Sequence, residues 1–266
     1  MGLASLVPHH VNMELIDGYA HCGLSKYEPI ERVEEVMAAA GVSRAVLVQH
    51  LGEFDNSYLG RIAAARPERF AAVGLVDHEP ADCLETLHRW VQAGRFKGMR
   101  LTSDALTARP ALAEAVVEAG LIVVLYAPGG IAPVAAALTR LLDQRPEGRL
   151  VVSHLGQPDP ADSPRFASWR ETLRLAAHPG IYLQLSGMKM FCPWPHEPLY
   201  PLIEQAVERF GLARIYWGSN FPVVGRADDY VKDLSLLLDG RLPVASQDIP
   251  AVAGGNAKRL WFQEGT

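Results

Sequence analysis

Residues 121–142 read LIVVLYAPGGIAPVAAALTRLL. The apolar run up to Tyr126 has the composition of a strand buried on both faces, as in a parallel sheet. Pro128-Gly129-Gly130 then breaks the chain, and residues 131–142 return at helical period. Residues 120–138 carry no charge, but the break leaves two pieces that are each too short to span a bilayer.

Outward from this unit the same order repeats. Apolar runs predict strands at 14–17, 45–49, 70–76, 96–101, 121–126, 150–153, 181–185 and 215–217. Helical patterns follow at 31–40, 56–65, 81–93, 110–120, 131–142, 164–177, 199–210 and 228–238. Gly41 and Gly94 close two of these helices, and Pro110 opens another. Eight units in 266 residues leave about 33 residues per unit, the size of one strand–helix repeat. That count and length predict an α/β fold, a (β/α)8 TIM barrel, with residues 1–266 as one domain. An open doubly wound sheet would carry a glycine-rich phosphate loop after its first strand. Here that loop is Gly18-Tyr19-Ala20-His21-Cys22-Gly23.

Composition narrows the function. A net charge of -5 excludes electrostatic nucleic-acid binding, which needs a concentrated positive field. Three scattered cysteines form neither a disulfide framework nor a zinc-binding pair, and the start of the chain lacks the pattern of a signal peptide. A reduced, cytoplasmic protein is expected, with a small-molecule substrate, no membrane partner, and a homodimer through outer helices and rim loops as one arrangement.

In such barrels the site lies at the C-terminal strand ends. Those ends carry Tyr19 and His21; Gln49 and His50; Asp77 and His78; Arg100; Tyr126; His154; Ser186; and Ser219 with Asn220. Four of nine histidines fall there, which points to an enzyme. Tyr19 and His21, two residues apart, face one side of their strand. His9, His10, His88 and His178 read as surface or loop positions, and Lys97 as a solvated residue. The segment after the seventh strand, Met188-Lys-Met-Phe-Cys-Pro-Trp-Pro-His-Glu-Pro198, would hang over the mouth. Met188 and Trp194 would form an apolar substrate wall there, or pack on the rim. Cys192 with His196 nearby is a nucleophile pair only by proximity in sequence.

The run Ile16-Asp17-Gly18-Tyr19-Ala20-His21 resembles the opening strand of the amidohydrolase superfamily, with its His-x-His metal motif. Five further segments resemble its amidohydrolase-related branch, in family order. They are Phe96-Lys-Gly-Met-Arg-Leu101, Val152-Ser-His-Leu-Gly156, Leu185-Ser-Gly187, Trp217-Gly-Ser-Asn-Phe-Pro222 and Gly255-Asn-Ala-Lys-Arg-Leu260. The resemblance implies the barrel, hydrolysis of lactones or decarboxylation, and a divalent metal. It places Arg100 at a substrate carboxylate and His21 and His154 at the metal.

Two positions depart from the family. Tyr19 stands for the first histidine, and Asn220 for the aspartate that takes a proton from water. An amide has no basic oxygen near neutral pH, and a phenol ligates only as the phenolate, whose reference pKa is about 10. Two imidazoles, an amide and a phenol make a poor zinc or manganese site, so no cofactor is favoured; His21 and His154 are the ligands if a metal binds. The expectation is a hydrolase of a small carboxylated lactone or similar carbonyl compound, acting through histidine acid–base catalysis without the usual metal. His154 and His21 are the catalytic bases, and Tyr19 and Asn220 polarise the carbonyl. Arg100, His50, His78, Tyr126, Ser186, Met188 and Trp194 bind substrate. Tyr19 as a void filler and Asn220 as a loop tie are the bland counterparts. A lyase, isomerase or cyclase on the same scaffold, or a ligand-binding pseudoenzyme, is the alternative.

Overall fold

The computed structural model describes residues 13–263. Eight parallel strands line up in chain order: β1 Leu15–Ala20, β2 Val42–Val48, β3 Phe70–Leu75, β4 Gly98–Thr102, β5 Ile122–Tyr126, β6 Leu150–Val152, β7 Ile181–Leu185 and β8 Ile215–Trp217. β8 returns to β1 through a bridge between Ala20 and Phe221, with Asn220 N donating to Tyr19 O at 2.7 Å and His21 N to Phe221 O at 2.8 Å. The result is a nearly closed (β/α)8 barrel, as the repeat count predicts.

The helices are α1 Ile30–Ala39, α2 Ser57–Ala65, α3 Cys83–Gln92, α4 Ser103–Ala108, α5 Pro110–Glu118, α6 Ala135–Gln144, α7 Arg170–Arg174, α8 Tyr200–Phe210, α9 Ala227–Leu238 and α10 Asn256–Trp261. Each longer helix buries one stripe against the sheet; in α1 it is Ile30, Val33, Val36 and Met37. Several elements differ from the sequence expectation, among them α10, which follows the eighth expected unit, and β2, which starts three residues early. Helix α4 stands ahead of Pro110, its first turn capped by the Thr102 hydroxyl accepting from Ala105 N at 3.1 Å. The expected helix at 164–177 is broken into 3-10 turns around the short α7, because Phe166 takes a left-handed backbone (φ 42°) and Trp169 anchors its indole N–H on the Leu155 carbonyl. Strand β1 runs three residues past the expected 17, to Ala20.

That extension contains a β-bulge. Asp17 pairs with Ala45 but Ala20 pairs with Leu47, so three steps on β1 meet two on β2. The bulge turns both Ile16 and Tyr19 into the barrel interior. Gly18 permits it: a Cβ there would lie 2.3 Å from the Tyr216 ring and 2.7 Å from the Trp217 carbonyl. The interior is filled by Val46, Val48, Val73, Val124, Val151 and Tyr216, and Trp261 of α10 plugs the lower end. The upper end, where the strands terminate, is polar.

Candidate active site

The seam between β1 and β8 is held by a buried carboxylate. Asp17 Oδ1 accepts from Ser219 N at 2.8 Å and Tyr19 N at 3.0 Å, and Oδ2 accepts from the Ser219 hydroxyl at 2.6 Å. Desolvation pushes Asp17 up to about 6 against these hydrogen bonds, which favour the charged form. Asp17 is a residue that sequence reasoning missed as functional. Its position just ahead of the bulge and its 202-residue reach to Ser219 are tertiary facts.

Above the seam the structure brings together Tyr19, His21, Arg100, Tyr126, His154, Ser186 and Asn220. The Tyr19 ring stands edge-on to His21 (5.1 Å between centroids) and to His154 (4.8 Å). His21 donates Nδ1–H to the Val48 carbonyl at 2.6 Å, which leaves Nε2 as the nitrogen that faces the Asn220 side chain. His154 Nδ1 lies 2.8 Å from the Ser186 hydroxyl. Burial, with the Arg100 charge second, pushes His21 down to about 3 and holds His154 well below the usual imidazole range. Both are therefore neutral near pH 7. Burial also raises Tyr19, so the phenol keeps its proton.

The backbone at these strand ends is unusual. His154, Leu155, Gln157 and Asn220 all take positive φ, between 51° and 60°. Non-glycine residues adopt this region rarely, and such positions cluster where side-chain aim matters. Asn220 places its amide Nδ2 3.2 Å from the Met190 sulfur and leaves Oδ1 without a partner. The Tyr19 hydroxyl is also unpartnered.

Arg100 dominates the electrostatics. It is 4% exposed, donates one N–H to the Gln49 carbonyl at 3.0 Å, and leaves Nε without a partner. Its guanidinium lies 4.9 Å from the Tyr126 ring centroid and 6.0 Å from that of Tyr19. Among the described residues no carboxylate pairs with it. A buried cation without a counter-charge is expensive unless a ligand supplies one.

Other expected site residues lie elsewhere. His50 is one ring removed: Tyr27 stacks on His21 at 5.1 Å and meets His50 edge-on at 5.0 Å. Tyr27 was invisible in the sequence, since it sits in a loop. Ser186 engages His154 and Gln184, which places it behind the imidazole. His78 is half-buried and makes only a backbone contact, to Arg109. Met188 packs into the core between sheet and helices, and Met190 takes the position over Asn220. Trp194 is exposed and lies under Arg241 at 4.9 Å, away from the mouth. Cys192 is no activated thiol: burial raises it, and His196 gives its Nδ1–H to the Cys192 carbonyl at 2.9 Å and turns Nε2 to Asp233 at 3.1 Å. His88 is exposed and His178 half-buried, while His9 and His10 fall outside the described residues.

Paired imidazoles and a buried guanidinium thus stand together at the C-terminal mouth, the end at which (β/α)8 barrels carry their active sites. An amidohydrolase family model matches residues 18–263, and the chain belongs to that family. It is 31% identical over 216 residues, 74% of this chain and 72% of the relative, to an L-fucono-1,5-lactonase of Burkholderia ambifaria. A protein from Acinetobacter baumannii assigned as a 2-pyrone-4,6-dicarboxylic acid hydrolase, with citric acid bound, superposes at a TM-score of 0.72, with 18% identity over 93% of this chain and 99% of that one. A zinc-bound amidohydrolase of Burkholderia multivorans gives 0.72 at 19% identity, over 93% and 98%. The two structural likenesses show the fold.

The family raises the question of a metal. The Nε2 atoms of His21 and His154 suit one. The rest of the donor set does not: Tyr19 is a protonated phenol, Asn220 a neutral amide, and both Asp17 oxygens are engaged at the seam. Among the described residues no group of three or more His, Cys, Asp or Glu could hold a metal ion. Arg100 would add like charge beside a dication. These residues fit a divalent metal poorly.

Proposed function

We propose that this protein hydrolyses a small carboxylated lactone or a related cyclic carbonyl compound. The observation that carries this reading is Arg100, a buried guanidinium without a carboxylate partner among the described residues, set beside two neutral imidazoles. Its planar fork takes a substrate carboxylate through two parallel N–H···O bonds. The lactonase relative supports a lactone as the substrate.

In the reaction, water attacks the lactone carbonyl and passes its proton to His154 Nε2. The Tyr19 hydroxyl and the Asn220 amide N–H face the developing oxyanion. The Asn220 N–H facing Met190 gives up a thioether contact to do so, and a thioether is a weak acceptor. The ring C–O bond then breaks, and the imidazolium returns its proton to the leaving alkoxide. The product is an open-chain hydroxy acid. The surroundings proposed are the reducing cytoplasm, in keeping with three free cysteines.

The test is acid release from a panel of lactones with and without a carboxylate. Arg100→Met should lower kcat/KM for the carboxylated members about 100-fold or more, the loss expected for a charge-assisted bidentate contact. It should leave uncarboxylated members within a few-fold. No hydrolysis by the native chain, with tight binding of the same lactones, would replace the enzyme reading with a binding protein.

A further inference from the structure

His154 is oriented by a chain of hydrogen bonds that runs down the barrel interior and ends on β1. Ser186 Oγ lies 2.8 Å from His154 Nδ1 and 2.8 Å from Gln184 Oε1. Gln184 Nε2 lies 3.0 Å from the Gly18 carbonyl, 166 residues away. All three side chains are buried, so water does not compete for these groups.

Donor and acceptor capacity leaves one arrangement. The Gly18 carbonyl only accepts, so the atom of Gln184 facing it is the amide N–H2. The other end of Gln184, facing Ser186, is then the carbonyl oxygen, which also only accepts. The Ser186 hydroxyl proton is committed to it. Ser186 Oγ can then only accept from His154, so the imidazole proton sits on Nδ1. The reversed amide would set two oxygens against each other at 3.0 Å in a buried place.

We propose that Gln184 is a positioning residue that, through Ser186, fixes His154 as the Nδ1–H tautomer and keeps its Nε2 lone pair open to water in the mouth. The proposal deepens the reading of His154 as the base and rests on it for its kinetic consequence, though not for the tautomer. The template for the proton is the Gly18 carbonyl at the β1 bulge. The same bulge therefore aims Tyr19 and, across the barrel, sets the face that His154 presents. The relay ends on a neutral carbonyl where many catalytic histidines meet a carboxylate. It orients the ring without adding a charge behind it.

The decisive variant is Gln184→Met. It fills the space but removes the acceptor, which frees the Ser186 hydroxyl to turn and donate to His154 Nδ1. The proton then moves to Nε2 and the base is blocked. The experiment is a long-range proton–nitrogen NMR spectrum of the full chain labelled with 15N-histidine, with chelator present and His154 assigned by its loss in His154→Gln. The native protein should show the proton on Nδ1. Gln184→Met should show it on Nε2, with kcat lowered about 100-fold, the scale of general-base catalysis, and KM changed less than threefold. Gln184→Glu, buried and so protonated, donates its hydroxyl to the Gly18 carbonyl, restores an acceptor facing Ser186 and should restore Nδ1–H. Ser186→Ala provides a second disruption if Gln184→Met does not fold, and should also release the proton from Nδ1. An Nε2–H native protein, or an unchanged tautomer in both disruptions, overturns the relay. A tautomer that inverts while kcat stays within twofold leaves the relay standing and sinks His154 as the base.

Discussion

Arg100 shows how one residue trades stability for binding. It makes one hydrogen bond and one close ring contact, and its charge stays uncompensated in a buried site. Replacing a buried, poorly paired ion by an apolar side chain of similar volume is often neutral or stabilising by about 1–4 kcal/mol. Arg100→Met should therefore unfold in urea at the same or a higher midpoint while it loses activity on carboxylated substrates. A clear drop in midpoint would show that Arg100 is a structural residue. The same variant should move the acid limb of the kcat/KM profile to higher pH. The Arg100 charge is the second cause, after burial, that holds His21 and His154 down, and removing it lets both imidazoles protonate more readily. Arg100 and the two histidines were legible in the sequence because strand ends can be counted. Gln184, Tyr27 and Asp17 were not. Their roles depend on partners across the barrel, and no local spacing encodes a partner that far away.

Among the elements, the segment from β7 to α8 departs furthest from its expected role. Its prolines and aromatic residues suggest a stiff wall over the mouth, but its anchor is polar and lies underneath. Both ring nitrogens of His196 face acceptors, the Cys192 carbonyl and the Asp233 carboxylate on α9, and the pair is buried. Lys189 adds a more exposed contact to Asp229 at 3.0 Å. The segment is thus pinned to α9 along its length, and Met190 is the part left over Asn220. Removing His196 leaves the buried Asp233 side chain and the Cys192 carbonyl without their hydrogen-bond partner, at a cost of about 1–3 kcal/mol for each group. His196→Ala should lose stability on that scale and open residues 188–199 to limited proteolysis, whereas Lys189→Ala, an exposed pair, should change stability by less than about 1 kcal/mol. Equal effects from the two would mean that the prolines hold the segment and the buried pair does not. The strand–helix alternation itself was readable because buried parallel strands are continuously apolar. The break-up at 164–177 was not, since it follows from a left-handed Phe166 and an indole anchored on another loop.

At the scale of the whole molecule, the barrel concentrates buried titratable groups at one end, and their shifts have opposite signs. His21 and His154 are held below their usual range, so the unfolded chain takes up protons below about pH 6.5 that the folded protein refuses. They favour folding near neutrality, and that advantage is lost as the pH falls. With His21 at about 3, its share of the loss reaches about 2 kcal/mol between pH 7.5 and 5, and His154 adds in the same direction. Asp17, raised to about 6, does the reverse. The folded protein holds a proton that the unfolded carboxyl releases above about 4, so folding gains about 1 kcal/mol over the same interval as the pH falls. The histidines win, and the native chain should be less stable at pH 5 than at pH 7.5 in urea titrations. The variants separate the contributions. His21→Gln should flatten the pH dependence by about 2 kcal/mol. Asp17→Asn should steepen it, because the opposing contribution is gone, even though the variant is weaker at both pH values through damage to the β1–β8 seam. A pH dependence unchanged in His21→Gln would mean that this imidazole protonates in the folded protein as readily as in the unfolded chain, and is not the dry group that its burial implies.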